Sequence, residues 1–226
     1  MAVTVGVVCF PGSNCELDAI EALRDLGATA EVLWHEDRDV SRCDAIVLPG
    51  GFAHGDYLRT GAIARFSPVM TGVEAFAASG GPVVGICNGF QVLTEAGLLP
   101  GALQKNGGLK FICADVSLRV RSTSSPITSL MSEGEVVRIP ISHFEGNYTV
   151  DPDTLAELWA EERVILTYEE NPNGSIDSIA AVCSAGRNVV GLMPHPERAC
   201  HPLLGGTDGA RLLRSLLATA SAAHAN

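Results

Sequence analysis

Basic residues are scarce in this chain of 226: 15 lysines and arginines stand against 26 acidic residues, a formal net charge of −11. They form no cluster, so nothing is placed to neutralise a phosphate backbone, and no nucleic-acid partner is expected. No apolar run approaches the roughly 18 residues of a membrane-crossing helix, and no membrane association is expected. The apolar N-terminus lacks a basic leader and is cut short by Pro11-Gly12, so it reads as a first strand and not as a signal peptide. The seven cysteines are odd in number, scattered, and contain no Cys-x-x-Cys pair. That argues against a disulfide framework and against a zinc site, so no metal is expected and a reducing cytoplasm is the expected compartment. Pro11-Gly12-Ser13-Asn14 stands where a dinucleotide-binding chain carries Gly-x-Gly-x-x-Gly. A phosphate-binding loop ending in Lys-Ser/Thr is missing as well. There is no internal repeat and no low-complexity tract, which leaves one domain over residues 1–226 as the economical organisation.

What is present alternates. Val3 to Phe10 is an unbroken apolar run, as in a strand buried on both faces. Ser13-Asn14-Cys15-Glu16 offers a capping box, and Leu17, Ile20, Leu23 and Leu26 follow at helical spacing up to Gly27. Ala30 to Trp34 and Asp44 to Leu48 read as strands, Val69 to Ala78 as a helix, and Pro82 to Ile86 as a strand. This order predicts an α/β fold of three layers, a mostly parallel central sheet with helices on both faces. The second half reads as shorter strands, Val116 to Val120, Val136 to Ile141, Val164 to Tyr168, Ile179 to Cys183 and Val189 to Met193, forming a smaller antiparallel region. Asp153 to Glu162 and Asp208 to Ala223 are expected helices, and Ser122 to Ser125 an exposed loop.

Gly85-Ile86-Cys87-Asn88-Gly89 carries the chemistry. An apolar strand, a cysteine between two glycines and a helix from Phe90 to Ala96 make the layout of a nucleophile elbow. A lone cysteine is more often a packing residue. Here the flanking glycines and the helix N-terminus, which favours a thiolate, point to a nucleophile. Met193-Pro194-His195-Pro196-Glu197 supplies a base. Pro196 pushes His195 toward extended geometry, in which residues two apart share a face, so Glu197 can orient the imidazole. Cys87, His195 and Glu197 then form a triad. The Gly50-Gly51-Phe52 turn at a strand end suits an oxyanion hole, with the N–H groups of Gly51 and Asn88 as donors.

These segments together resemble the class I, or triad, glutamine amidotransferases, whose fold is flavodoxin-like. Gly50-Gly51-Phe52, Gly55-Asp56-Tyr57-Leu58-Arg59, Pro11-Gly12-Ser13-Asn14-Cys15 and Met193 to Ala199 narrow the resemblance to the glutaminase subunits of phosphoribosylformylglycinamidine synthases. It extends over nearly the whole chain. It implies hydrolysis of L-glutamine to glutamate and ammonia, delivered to a synthetase subunit in a complex with a small accessory subunit. The chain itself is expected to hold no cofactor, with ATP and magnesium on the synthetase. Phe52, Gln91, His143 and Phe144 are implied glutamine contacts, Gln91 alternatively supporting the Gly51 loop. Asp56 to Arg59 is assigned to partner docking or loop positioning. Ala53-His54, Thr60 and Phe144 depart from the family pattern, and a glycine-only backbone at position 144 would be strained by phenylalanine. A free-standing γ-glutamyl hydrolase and a non-catalytic subunit are the alternatives left open.

Overall fold

The structure, a computed structural model, describes residues 2–223. Nine strands form one sheet, and most of them come from the apolar runs. The first half contributes β1 (Thr4–Cys9), β2 (Thr29–Trp34), β3 (Ala45–Leu48) and β4 (Val83–Ile86), connected through α1 (Glu16–Asp25) and α2 (Pro68–Ala78). After β4 come α3 (Asn88–Glu95), β5 (Ala102–Gln104), β6 (Ile112–Val120), β7 (Val136–His143) and β8 (Asn147–Thr149). The chain closes with α4 (Pro152–Ala160), β9 (Val164–Tyr168), β10 (Ile179–Cys183), β11 (Val189–Leu192) and α5 (Asp208–Ala223).

The sheet order is β2-β1-β3-β4-β11-β10-β9-β6-β7. The first five strands are mutually parallel, and each later pairing is antiparallel. The antiparallel strands therefore extend the parallel sheet instead of forming a second one. Four reversals after β11 also leave β7 running in the same direction as β4 and β11. Burial follows position: every residue of β3, β4, β11, β9 and β10 is buried, whereas β7 alternates between exposed and buried at its start. Strands covered on both faces need continuous apolar sequence, and an edge hairpin needs only every second residue. The buried side chains make one continuous core. Among the described residues no helix is long and apolar enough to cross a membrane.

Several local expectations are corrected. The capping box does not form: Ser13 Oγ accepts from the Phe10 N–H, and α1 begins after Cys15 with no side-chain cap. The strand expected from Val116 starts at Ile112, because its first residues are largely exposed and carry no apolar run. Strands β5 and β8, a short antiparallel pair, were not anticipated at three residues each. The Ser122 to Ser125 loop is only partly exposed: Ser124 is exposed, while Ser122 and Ser125 are buried, with Ser125 Oγ bonded to Thr128 Oγ1 at 2.7 Å.

Candidate active site

Parallel strands deliver their carboxyl ends to one edge of a sheet, and ligand sites of such folds lie there. Here that edge collects residues 11–15 after β1, Gly50-Gly51 after β3, Cys87 after β4 and His195 after β11. Cys87 sits at the turn into α3 with φ 51° and ψ −103°, a conformation costly for a non-glycine residue and tolerated only where the surroundings enforce it. The enforcement is close packing. A Cβ on Gly89 would fall 2.0 Å from Leu48 O, and one on Gly85 would fall 2.6 Å from the Gly89 carbonyl carbon. Both glycines let α3 press against β3 and β4. The Cys87 N–H donates to Leu192 O at 2.8 Å, which ties the elbow to the strand carrying the histidine.

His195 Nδ1 lies 2.6 Å from Glu197 Oε1, and both residues are almost completely buried. The pairing is reached differently from the extended segment expected. His195 itself has φ −104° and ψ 85°, but Pro196–Ala199 is a single 3-10 turn, and the turn brings the carboxylate back to the ring. Burial alone would lower the His195 pKa. The charges of Glu197 and Cys87 overcome it and hold the ring well above its ordinary value. His195 Nε2 is buried without a fixed hydrogen-bond partner, which leaves it available to exchange a proton. The three predicted residues are thus brought together.

The Gly50-Gly51 loop, where an oxyanion hole was expected, is built by its own backbone and by Asn88. Phe52 N–H donates to Gly12 O at 2.9 Å and Cys15 N–H to Gly50 O at 3.2 Å. Gly51 has φ +148°, and a Cβ there would stand 2.8 Å from Asn14 N. Asn88 Oδ1 accepts from Ala53 N–H at 3.0 Å, while its Nδ2 donates to Gln91 Oε1 at 2.8 Å. The Asn88 N–H opens α3, where first-turn donors have no partner within the helix. Gln91 Nε2 in turn donates to Glu145 O at 2.5 Å. Gln91 thus bonds both the elbow and the loop after β7, and it also lines the cavity in front of Cys87.

A cavity of about 360 Å³ opens in front of Cys87, lined by Gly51, Phe52, Gln91, His143 and Phe144 among others. Phe52 and Phe144 are partly exposed at its mouth. Phe144 is not among the residues with positive φ, so the strain expected there does not arise. His143 is buried, its Nδ1 3.0 Å from Asn106 Oδ1, and desolvation followed by the nearby His195 charge lowers its pKa to about 4. Arg59 is held to Glu95 by two contacts of 2.6 Å, which positions the loop, while Tyr57 and Leu58 are exposed.

Two participants were not foreseen. Cys15 lines the cavity and accepts from Arg198 Nη2 at 3.0 Å, while Arg198 Nε donates to Asp18 Oδ2 at 3.1 Å. Its position after the first parallel strand was the available signal. Asn106 gave none, because nothing local marks a residue that acts across a hairpin. Glu145, next to the implied contacts His143 and Phe144, also lines the cavity. Cys15, His195 and Glu197 each present one ligand atom within 4.8 Å of the others, but a metal there would have to separate the His195–Glu197 pair.

A thiol elbow and a histidine–carboxylate pair on neighbouring parallel strands are the design of the glutamine amidotransferases, and residues 2–206 match the CobB/CobQ-like glutamine amidotransferase domain. The chain is 60% identical over 216 residues to phosphoribosylformylglycinamidine synthase subunit PurQ of Rubrobacter xylanophilus, covering 96% of this chain and 98% of that one. The PurQ subunit of Koribacter versatilis is 55% identical over 222 residues, covering 94% and 96%. The structure of PurLQS from Thermotoga maritima superposes with a TM-score of 0.90 at 42% identity, over 97% of this chain and 99% of that chain. The chain belongs to the PurQ family of phosphoribosylformylglycinamidine synthase subunits.

Proposed function

We propose that this chain, acting as one domain in the cytoplasm, is the glutaminase subunit of phosphoribosylformylglycinamidine synthase. It releases ammonia from L-glutamine for a synthetase subunit, assembled with a small accessory subunit, that converts formylglycinamide ribonucleotide to formylglycinamidine ribonucleotide in purine biosynthesis. ATP and magnesium belong to the synthetase. The observation that carries the reading is the buried His195–Glu197 pair, 2.6 Å apart, beside a cysteine held at φ 51°.

The Cys87 thiolate attacks the carboxamide carbon, and the N–H groups of Gly51 and Asn88 hold the oxyanion. The raised pKa of His195 suits an imidazolium that protonates the departing nitrogen. Ammonia leaves and a γ-glutamyl thioester remains on Cys87. Neutral His195 then takes a proton from water, which attacks the thioester and frees glutamate, while Glu197 keeps Nδ1 of the ring engaged throughout. Gln91 keeps the elbow and the β7 loop in register, and Phe52 and Phe144 flank the entrance.

Exposed Tyr57 and Leu58 beside the mouth suit partner docking, and coupling to a partner predicts slow glutamine turnover by the isolated chain. The deciding experiment is intact-protein mass spectrometry after exposure to a glutamine-mimicking diazoketone. One adduct on the wild type, competed by glutamine and absent from Cys87→Ala, is expected. No adduct even with the synthetase and accessory subunits present would refute a glutamine-directed nucleophile.

A further inference from the structure

Cys15 and Cys87 both line the cavity in front of the elbow, and the chemistry above uses only Cys87. Cys15 is free and buried, at the N-cap of α1. Packing does not account for its polar surroundings. Its thiol donates to Asn14 Oδ1 at 3.1 Å, so the sulfur has only lone pairs to offer its other neighbours. One neighbour is Arg198, whose Nη2 donates to the sulfur at 3.0 Å while its Nε is held by Asp18 Oδ2 at 3.1 Å. The other is the ring of His195.

A glycine makes that second approach possible. A Cβ on Gly50 would stand 3.0 Å from Cys15 Sγ and 2.7 Å from His195 Cε1, so sulfur and ring come together over bare backbone. Cys15 Sγ lies within 4.8 Å of a ring nitrogen of His195 and of a Glu197 carboxylate oxygen. A lone-pair acceptor against an imidazole favours the charged ring over the neutral one. Burial opposes the charged ring, whereas the charges of Glu197 and Cys87, and then hydrogen bonds to Cys15 and Cys87, favour it. His143, from β7, is a like charge to the ring only when protonated, and its pKa of about 4 keeps it neutral. Arg198 is the permanent cation of the group, beside the same Glu197 carboxylate, and it opposes a charged ring. The Cys15 sulfur touches both the guanidinium and the ring, and so offsets that opposition.

We propose that Cys15 is a positioning residue for the base: its sulfur, fixed by Asn14 and Arg198, holds His195 in the imidazolium form that protonates the departing nitrogen. The inference rests on the reading of Cys87 as a glutamine-directed nucleophile. It adds a contact from the end of β1 to a triad otherwise carried by β4 and β11.

The test is the pH dependence of ammonia release by the complex reconstituted with its synthetase and accessory subunits. Cys15→Ala and Cys15→Val both remove the acceptor, one leaving a gap and the other filling it, so either that folds suffices. In each, the alkaline limb of kcat/KM should move down by about one pH unit. Activity on that limb then falls about tenfold, while the acidic side stays within about twofold. Cys15→Ser, which keeps a donor and an acceptor on the same carbon, should bring most of the limb back. A purely structural role would lower the rate at every pH and leave the limb in place, which overturns the proposal. A serine variant shifted as far as the alanine one overturns it too. NMR titration of the full chain labelled in histidine reads His195 without turnover, its signal assigned by its loss in His195→Gln. The same downward shift is expected there, and an unchanged titration overturns the proposal. No ammonia from the wild-type complex refutes the reading of Cys87, and the titration then decides the role of Cys15 by itself.

Discussion

The site is assembled from two regions that reach it by different routes. Cys87 and His195 leave β4 and β11, which are hydrogen-bonded neighbours, so their meeting is built into the strand order. Ser142 to Glu145 leave β7, five strand spacings away from β4 in the sheet order. At about 4.8 Å per strand a flat sheet would put them roughly 24 Å off. Yet Cys87 Sγ lies 3.8 Å from Ser142 O, and the His195 N–H donates to Pro140 O at 2.8 Å. The edge hairpin therefore curls back over the carboxyl ends of the parallel strands. The proposed triad sits on the doubly covered region, and part of the wall of the cavity in front of it on the edge.

Substitutions should separate the two regions. The largest effect is expected at Glu197→Gln, which keeps the shape but removes the charge that holds the His195 proton on the correct nitrogen. Ammonia release should fall by about 10³- to 10⁴-fold with little change in KM. A fall of less than tenfold would mean that Glu197 does not orient the base. Next comes Gly89→Ala, whose methyl would meet Leu48 O. A loss of about 3 kcal/mol in denaturant unfolding is expected together with loss of thioester formation, since α3 cannot keep its seat. Unaltered stability would show that the elbow can relax.

In the edge region, Asn106→Ala removes the acceptor shared by His143 and Gly146. KM for glutamine should rise about tenfold while kcat stays within about twofold. Equal losses in both would place the β7 loop in the chemistry itself. His143 gives a pH signature. Its pKa is lowered in the folded chain to about 4 from 6.5, so the unfolded chain binds the extra proton. Its contribution to stability is therefore intact above pH about 6.5 and declines as the pH falls toward 4. Asp56, raised to about 6, acts in the opposite sense and favours the folded chain on acidification. In thermal melts, His143→Gln should lose less stability than wild type between pH 7 and about 5. Arg59→Glu, which breaks an exposed pair with Glu95, is the smallest: complex assembly measured by size-exclusion chromatography should weaken slightly, with the triad untouched.

What the sequence disclosed follows the same division. Glycines beside Cys87, and prolines beside a histidine two residues before a glutamate, are local signals, because the geometry they impose lies within a few bonds. The parallel strands were equally legible, since strands covered on both faces must be continuously apolar. The edge was not. Ile112 to Asp115 are mostly exposed and show no apolar run, β8 is three residues long, and Asn106 acts on residues across a hairpin. The place of Cys15 at the cavity was not legible for a related reason: its neighbours Arg198 and His195 are close only once β1, β3, β4 and β11 lie side by side. Even the Glu197 contact, correctly anticipated, is made by a 3-10 turn and not by the extended chain that suggested it.

The strand order also has a consequence for synthesis. Among the described residues β11 is the last strand, and it enters the sheet between β4 and β10, both of which are made before it. As the chain leaves the ribosome, the segment that becomes the nucleophile elbow emerges early, while its base and the strand that braces the Cys87 N–H emerge near the end. Domains whose pairings are so far apart in the chain fold late, because the long loop must close before its contacts contribute. A nascent chain stalled before β11 holds a cysteine and no histidine–carboxylate pair. Under the proposed triad a half-made subunit hydrolyses no glutamine, and the site is complete only when β11 joins the sheet.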